Sequence, residues 1–441
     1  MSAAVVTEAE SVWLDRLPSE WETIPLKYVV RINERALGES TDPDRTIRYI
    51  DIGSVTGTGE ITNVQEMRFE EAPSRARRVV CLGDTLVSTV RTYLRAIAFC
   101  AESDDALIAS TGFAVLTPGS LVEPRFLYYW MRSTPMVDEI VSRSVGVSYP
   151  ATNASEVGSL PFPRVGRREQ KAIAEYLDRK AAAIDNLLAQ KKRQLDLLAA
   201  TRRAVISHAV THGLDTDTPT RETGHPWLGA IPEHWDLTRL KFHLDGIEQG
   251  WSPQCENRPA GDGEWGVLKV GCVNGRKFDP SENKALPLDL DPEPDLEVHV
   301  GDVLMSRANT RELLGSSVVI EETRPRLILC DKLYRLRVAT TLYKRFLDYA
   351  LDTPPLRYQI ESQATGTSGS MQNISQGIVK NLILPFPPYP EQLAIVGFLD
   401  NETERIDFAE RKVTSQISKL RQYRQSFITA AVTGQLDIPT S

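Results

Sequence analysis

Arg91, Tyr93 and Arg95 follow a Gly83-Asp84 turn and the apolar run Thr85 to Thr89. Arg307, Asn309 and Arg311 follow Gly301-Asp302 and Val303 to Met305 in the same way. Later, Ser148 and Tyr149 in the loop GVSYPATN answer Ser370 and Gln372 in the loop GTSGSMQN, with Gly146 against Gly366 and Asn153 against Asn373. Arg75, Arg77 and Arg78 add a cationic cluster to the first set, and Lys269, Arg276 and Lys277 to the second. Arg and Lys bond guanine edges, Asn and Gln bond adenine, and Arg, Lys, Ser and Thr hold phosphates. Singly, each is an ordinary solvated side chain. As a set, at equivalent places in two copies, they predict a DNA-binding face.

Other chemistry finds less support. His208 and His212 stand four apart on a helix end, a metal-holding spacing, but no third ligand is evident, so no metal is expected. Gly53, Gly57 and Gly59 read as turn glycines; no Gly-Lys-Ser/Thr follows, so there is no phosphate loop. PFPPYP, from Pro385 to Pro390, has the outline of the Asn/Asp-Pro-Pro-Tyr tetrad of amino-methyltransferases. That tetrad needs a polar first residue to accept a hydrogen bond from the target amine, and Phe386 stands there. No nucleophile with its base and no supported carboxylate pair is evident, so no catalytic residue is assigned and the chain reads as a non-enzyme.

The elements that must position these residues occur twice. Trp13-Leu14, Leu17-Pro18 and Trp21 return as Trp227-Leu228, Ile231-Pro232 and Trp235, offset by 214. Leu160 to Pro163 returns as Leu384 to Pro387, offset by 224. Glu169-Gln170, Leu177-Asp178, Ile184-Asp185 and Ala209 to Thr211 return at offset 222 as Glu391-Gln392, Leu399-Asp400, Ile406-Asp407 and Ala431 to Thr433. The period far exceeds that of a solenoid and marks a duplicated domain with its helix. Short β-type runs such as Thr46 to Ile52, Phe113 to Thr117 and Val318 to Glu321, and short helices opening at Arg125 and Arg345, make each lobe mixed α/β.

Heptads mark the helices. Leu177, Ile184, Lys191, Leu198 and Val205 stand at sevens, as do Leu399, Ile406, Val413, Leu420 and Phe427; Leu188 and Leu195 are answered by Glu410 and Ile417. Four heptads predict that the two helices pair, antiparallel, as a coiled coil with pseudo-two-fold symmetry. Two amphipathic helices each lying on its own lobe is the plainer alternative. The predicted division is a lobe over 1–165, a helix over 166–212, a polar linker over 213–226, a second lobe over 227–390 and a second helix over 391–437. Off-seam Ile173, Tyr176, Leu187, Phe398, Phe408, Tyr423 and Ile428 exceed what one two-helix coil can bury and predict a further protein interface.

Composition agrees with this reading. Apolar residues at 41% and charged residues at 25% are ordinary for a globular protein, and no apolar run approaches membrane-helix length. Five cysteines form no CxxC pair, and MSAAVVTEAE lacks the basic start and apolar core of a signal peptide, so a cytoplasmic protein with reduced thiols is expected. The net charge of −8 excludes an all-basic coat, not a local basic patch.

The run from Thr211 to Trp235, the Leu-Pro-Phe-Pro and Glu-Gln lead-in to each long helix, and the endings ISHAVTHGLD and ITAAVTGQLD resemble the specificity subunit of type I restriction–modification enzymes. The resemblance covers essentially the whole chain. It implies two target recognition domains joined by spacer helices, and a subunit without catalytic centre or cofactor that reads a bipartite site in double-stranded DNA with an unread spacer. It implies two methyltransferase subunits as partners, which carry S-adenosylmethionine and methylate adenine at N6. Two restriction/translocase subunits, using ATP and Mg, are optional further partners. The rival readings are a single-chain enzyme, for which the duplication leaves no room, and a coiled-coil scaffold joining two protein-binding lobes.

Overall fold

The computed structural model describes residues 13–14, 17–102, 104–146, 149–275, 277–366 and 371–439; Ser148, Arg276 and Ser370 lie outside the described residues. The chain divides into two compact units, residues 1–193 with 414–441, and residues 194–413. The long helices Arg167–His212 and Tyr389–Val432 therefore contribute to both. No helix among the described residues is long and apolar enough to cross a membrane.

In the first unit, Val30–Ile32, Phe113–Pro118, Thr85–Ser88 and Ile97–Phe99 form an antiparallel sheet in that order. The strand after Gly83-Asp84 is buried along its whole length, which is why Thr-Leu-Val-Ser shows no polar alternation. A second sheet orders Gln65–Arg68, Thr46–Ile50, Leu107–Ser110 and Ala76–Val79, its central pair parallel. Helices Pro124–Arg132 and Thr134–Ser142 complete the lobe, and Phe126, Trp130 and Phe162 form its aromatic core.

The second unit repeats the plan. Leu244–Gln249, Leu333–Val338, Val303–Ser306 and Ser317–Val319 form the matching antiparallel sheet, and Gly266–Leu268 lies parallel to Leu327–Ile328 in a three-stranded one. The repeated Leu-Pro-Phe-Pro has one role in both: Pro161–Pro163 pairs with Thr23–Pro25, and Ile383–Phe386 with Asp236–Arg239. A strand that lacks N–H donors is confined to such small edge ladders. The polar linker is more structured than its composition suggests. Thr220–Glu222 pairs with Ala230–Pro232, and Arg221 donates to the Trp235 carbonyl at 2.8 Å.

Each lobe is closed by two helix ends. The first core takes Ile173, Ala174 and Leu177 from the start of one long helix, and Ile428, Ala431 and Val432 from the end of the other. The second core takes Ile395, Val396 and Leu399 with Ile206, Ala209 and Val210. This corrects part of the expected outer interface: Ile173 and Ile428 are core residues, whereas Leu187, Phe398, Phe408 and Tyr423 stay exposed and Tyr176 packs at a tilt against Phe427. Each helix ends in a left-handed glycine packed on its lobe's tryptophan, Gly213 on Trp235 and Gly434 on Trp21. A Cβ on Gly434 would stand 2.4 Å from Pro18, so only glycine fits.

The helix contacts inside each unit also differ in detail from the heptad reading. Leu177, Ile184, Leu399, Ile406 and Val413 are buried, but Leu198, Val205, Leu420 and Phe427 are only half-buried. The buried line moves instead to Arg202, Ile206 and Ala209, and at the same offset to Ile428 and Ala431, with the partly buried Arg424 beside them. A helix of 3.6 residues per turn drifts about 20° per heptad, which over four heptads carries the sevens off the contact line. The arginine at that line is paired in each unit. Arg202 bonds Asp407 and the Thr403 carbonyl, and Arg424 meets Asp185 at 3.0 Å. A charge buried at a contact position is costly unless partnered, so these pairs hold one register against slippage.

Candidate nucleic-acid interface

The Glu-Gln motif explains how each lobe is fixed to its helix. Gln170 is buried; its Oε1 accepts from Glu123 N at 2.9 Å and its Nε2 donates to the carbonyls of Val165 and Leu121 at 2.7 and 3.2 Å. Gln392 accepts from Tyr343 N at 2.7 Å and donates to Pro387 and Thr341 at 3.0 and 3.3 Å. A neighbouring clamp is also duplicated. Arg125 and Tyr129 bond Asp178, and Arg345 and Tyr349 bond Asp400. Burial and the Asp178 hydrogen bond push the Tyr129 phenol up, so it stays protonated as a donor.

On this frame the candidate residues gather unevenly. In the first lobe, Arg91 N donates to Pro150 O at 2.7 Å and Val90 bridges Ala151, which ties the turn 91–95 to the polar loop. The Arg91 guanidinium lies 4.7 Å from the Tyr149 ring centre, a cation–π contact, and both residues are exposed. Tyr93 is 54% exposed; Arg95 is half-buried, 3.9 Å from Asp138. Arg75 joins this face through the backbone, because Thr111 bonds its carbonyl and Gly112 bonds Thr89. Arg77 is instead spread over Phe69 at 4.8 Å, and Arg78 is half-buried with a buried Nε that has no partner among the described residues.

In the second lobe the equivalent strand and loop also meet, Ala308 and Asn309 pairing with Asn373 and Gln372. Arg311 is exposed and pairs with Glu361 at 3.1 Å. Asn309 is buried: its Nδ2 donates to Asn274 Oδ1 at 2.8 Å and its Oδ1 accepts from Thr310 N at 2.9 Å. An amide committed in this way holds the turn and is not free to read a base. Arg307 is half-buried, donating to Asp331 O at 3.1 Å, with its Nε unpartnered among the described residues. Gln372 is half-buried and its Oε1 likewise lacks a partner among them, an acceptor at the lobe edge. Lys269 pairs with Glu282 at 3.4 Å.

Lys277 lines a cleft of about 580 Å³ beside the second long helix, with Glu321, Arg345, Asp348 and Asp400. Part of Asp348's surface remains accessible, yet burial of its carboxyl, opposed by a Ser317 hydrogen bond, pushes it up to about 7.

No family model matches the chain. A 173-residue stretch is 30% identical to the type I restriction enzyme EcoEI specificity subunit of Escherichia coli, covering 39% of this chain and 29% of that subunit's length. Over 329 residues the chain is 24% identical to the EcoKI specificity subunit of Escherichia coli strain K12, covering 73% of this chain and 68% of that one. This chain is a relative of type I restriction enzyme specificity subunits. Its fold is shared by a chain solved in work on complex assembly and conformational transition of the type I R-M system, with a TM-score of 0.71 at 23% identity over 95% of this chain and 99% of the other.

The repeat reading singled out Gln170, Gln392, Asp178 and Asp400 without giving them a structural role, and it passed over the clamp tyrosines and the Arg202 and Arg424 pairs. Their signal was available, since each recurs at the repeat offset. Asn274 gave none, because its partner Asn309 faces an arginine, Arg91, in the other copy.

Proposed function

We propose that this chain is the non-catalytic, sequence-specific DNA-binding subunit of a type I restriction–modification complex. Its two lobes act as tandem target recognition domains, and its helices pair antiparallel as a spacer related by a pseudo-two-fold axis. The observation that carries this reading is the recurrence of one presentation in both lobes: a strand leaving a Gly-Asp turn, tied by backbone bonds to a polar loop, with an exposed arginine, Arg91 or Arg311, beside the junction. Two lobes fixed on a rod contact two short tracts of duplex with an unread spacer between them, and lobes that differ in sequence read different tracts. The exposed contact set is Arg75, Arg91, Tyr93 and Tyr149 in the first lobe and Arg311 in the second, with Gln372 half-buried beside it.

Adenine-N6 methylation belongs, in this reading, to two methyltransferase partners that bind S-adenosylmethionine and supply the pocket for a flipped base. Exposed Phe398, Phe408, Leu187 and Tyr423 on the long helices are the surface offered to them.

The spacer is the sharpest test. One heptad inserted after Lys191 and one after Val413 add ~10 Å of helix. Mapping methylated adenines in the host genome should show the unread spacer lengthened by roughly two to four base pairs at ~3.4 Å each. An unchanged spacer would refute the ruler, and failure of the complex to bind duplex in a salt-dependent way would favour a plain scaffold.

A further inference from the structure

Resting on that DNA-reading function, we infer that the first lobe carries an apolar wedge, Tyr93-Leu94, which enters the base stack of its half-site, and that the equivalent turn of the second lobe carries none. The turn holding this pair is strained on both sides. Arg91 and Arg95 both adopt left-handed backbone, with φ of 49° and 54°, around the single helical turn Thr92–Leu94. Side chains with a Cβ rarely occupy that region, and such strain persists only where the surroundings over-determine it.

Here they do. Arg91 N is held by Pro150 O at 2.7 Å, Leu94 N by Arg91 O at 2.9 Å, Arg95 N by Thr92 O at 3.1 Å, and Ile97 N by Arg95 O at 2.8 Å. Between them the buried Thr92 hydroxyl bonds Ser144 at 2.8 Å. The result is a rigid tip that turns two apolar side chains outward, Tyr93 at 54% and Leu94 at 44% exposure. Arg91, stacked on Tyr149, and Arg95 bracket them with positive charge.

A wedge into duplex DNA needs an apolar side chain on a stiff support, flanked by cations that hold the phosphates while a base step opens. An isolated apolar pair on a strained, cation-bracketed tip meets each requirement. The second lobe's equivalent turn does not. Arg311-Glu312 stands in place of Tyr93-Leu94, Arg311 is tied to Glu361, and neither Asn309 nor Leu313 is left-handed.

The test uses the full chain purified with its methyltransferase partner and duplexes carrying its methylated site, with 2-aminopurine placed singly along both half-sites. One step in one half-site should brighten several-fold, apart from any signal at the methylated adenine. At complex concentrations that saturate the duplex, the double variant Tyr93→Ser/Leu94→Ser should return that step to duplex baseline, whereas Tyr93→Phe should keep it. Glu312→Ser, at the matching place in the second lobe, should not alter the step. Tight, salt-dependent binding of the site with no such step, or a step indifferent to the double variant, overturns the wedge and leaves DNA reading intact. No binding of duplex by the wild-type complex overturns both. Should the double variant lose its melting transition, Leu94→Ala carries the same comparison.

Discussion

The two lobes are built alike where they grip the helices and unlike where they face outward. Gln170 and Gln392 make the same set of bonds, and Arg125–Asp178 and Arg345–Asp400 the same ion pair. At the turn after the central strand the likeness stops. Arg91 is exposed and stacked, and its counterpart Asn309 is buried and locked by Asn274; Tyr93-Leu94 faces Arg311-Glu312. The grip must satisfy buried polar atoms and tolerates little change, while an exposed turn is free to vary once its backbone is anchored.

The largest expected break in this likeness is a truncation. Removing residues 427–441 strips Ile428, Ala431, Val432 and their neighbours from the first core alone. The first lobe should lose on the order of 5 kcal/mol or more, from several apolar side chains at about 1.5–3 kcal/mol each. Calorimetry with limited proteolysis should show one lobe unfolded and cleaved and the other intact. Equal loss in both would mean that the lobes are not closed separately.

A milder change should act symmetrically. Gln170→Leu leaves the Glu123 amide and the Leu121 and Val165 carbonyls without their partner, and Gln392→Leu does the same beside Tyr343. Each should cost its own lobe about 1–3 kcal/mol, read as a lowered melting transition for that lobe only. Unequal costs would show that the two latches have diverged.

The smallest effect should separate the lobes by pH. Asp348 has no acidic counterpart, since Tyr128 holds the place in the first lobe. Its carboxyl, pushed up to about 7 by burial, stays protonated in the folded state at pH values where the unfolded chain has ionised. The folded state then binds the extra proton, so this group's contribution to stability falls as pH rises from the ordinary carboxylate range towards 7. Ser317, Arg345, Asp352 and Glu321 are the groups that act on it. Asp348→Asn should therefore raise the second transition by a few degrees, more at pH 8 than at pH 5. A gain that does not depend on pH would rule out this titration.

The duplication, the mixed lobes and the long helices were legible because core and latch residues recur at a nearly fixed offset. What escaped is what a single sequence presents ambiguously. Arg202 reads as a solvated cation until Asp407 is brought against it, from a segment some two hundred residues away. Leu198 and Val205 satisfy the heptad and are nonetheless half-buried, because helical drift moves the contact line to Arg202, Ile206 and Ala209. Among the candidate DNA contacts, residue type picked out Arg91 and Asn309 alike. Only the neighbours distinguish a stacked, exposed guanidinium from an amide spent on its own turn.

The first core is completed by residues 428–438, which a ribosome makes only after residues 178–427, the stretch that separates them from the rest of that core. While residues 178–427 are still being added, the first core lacks that wall. At roughly 5–20 residues per second that interval is on the order of tens of seconds. During it, Phe126, Trp130 and Leu177 lack part of the apolar cover that they have in the finished core. The first lobe is thus finished only when the end of the second long helix packs onto it.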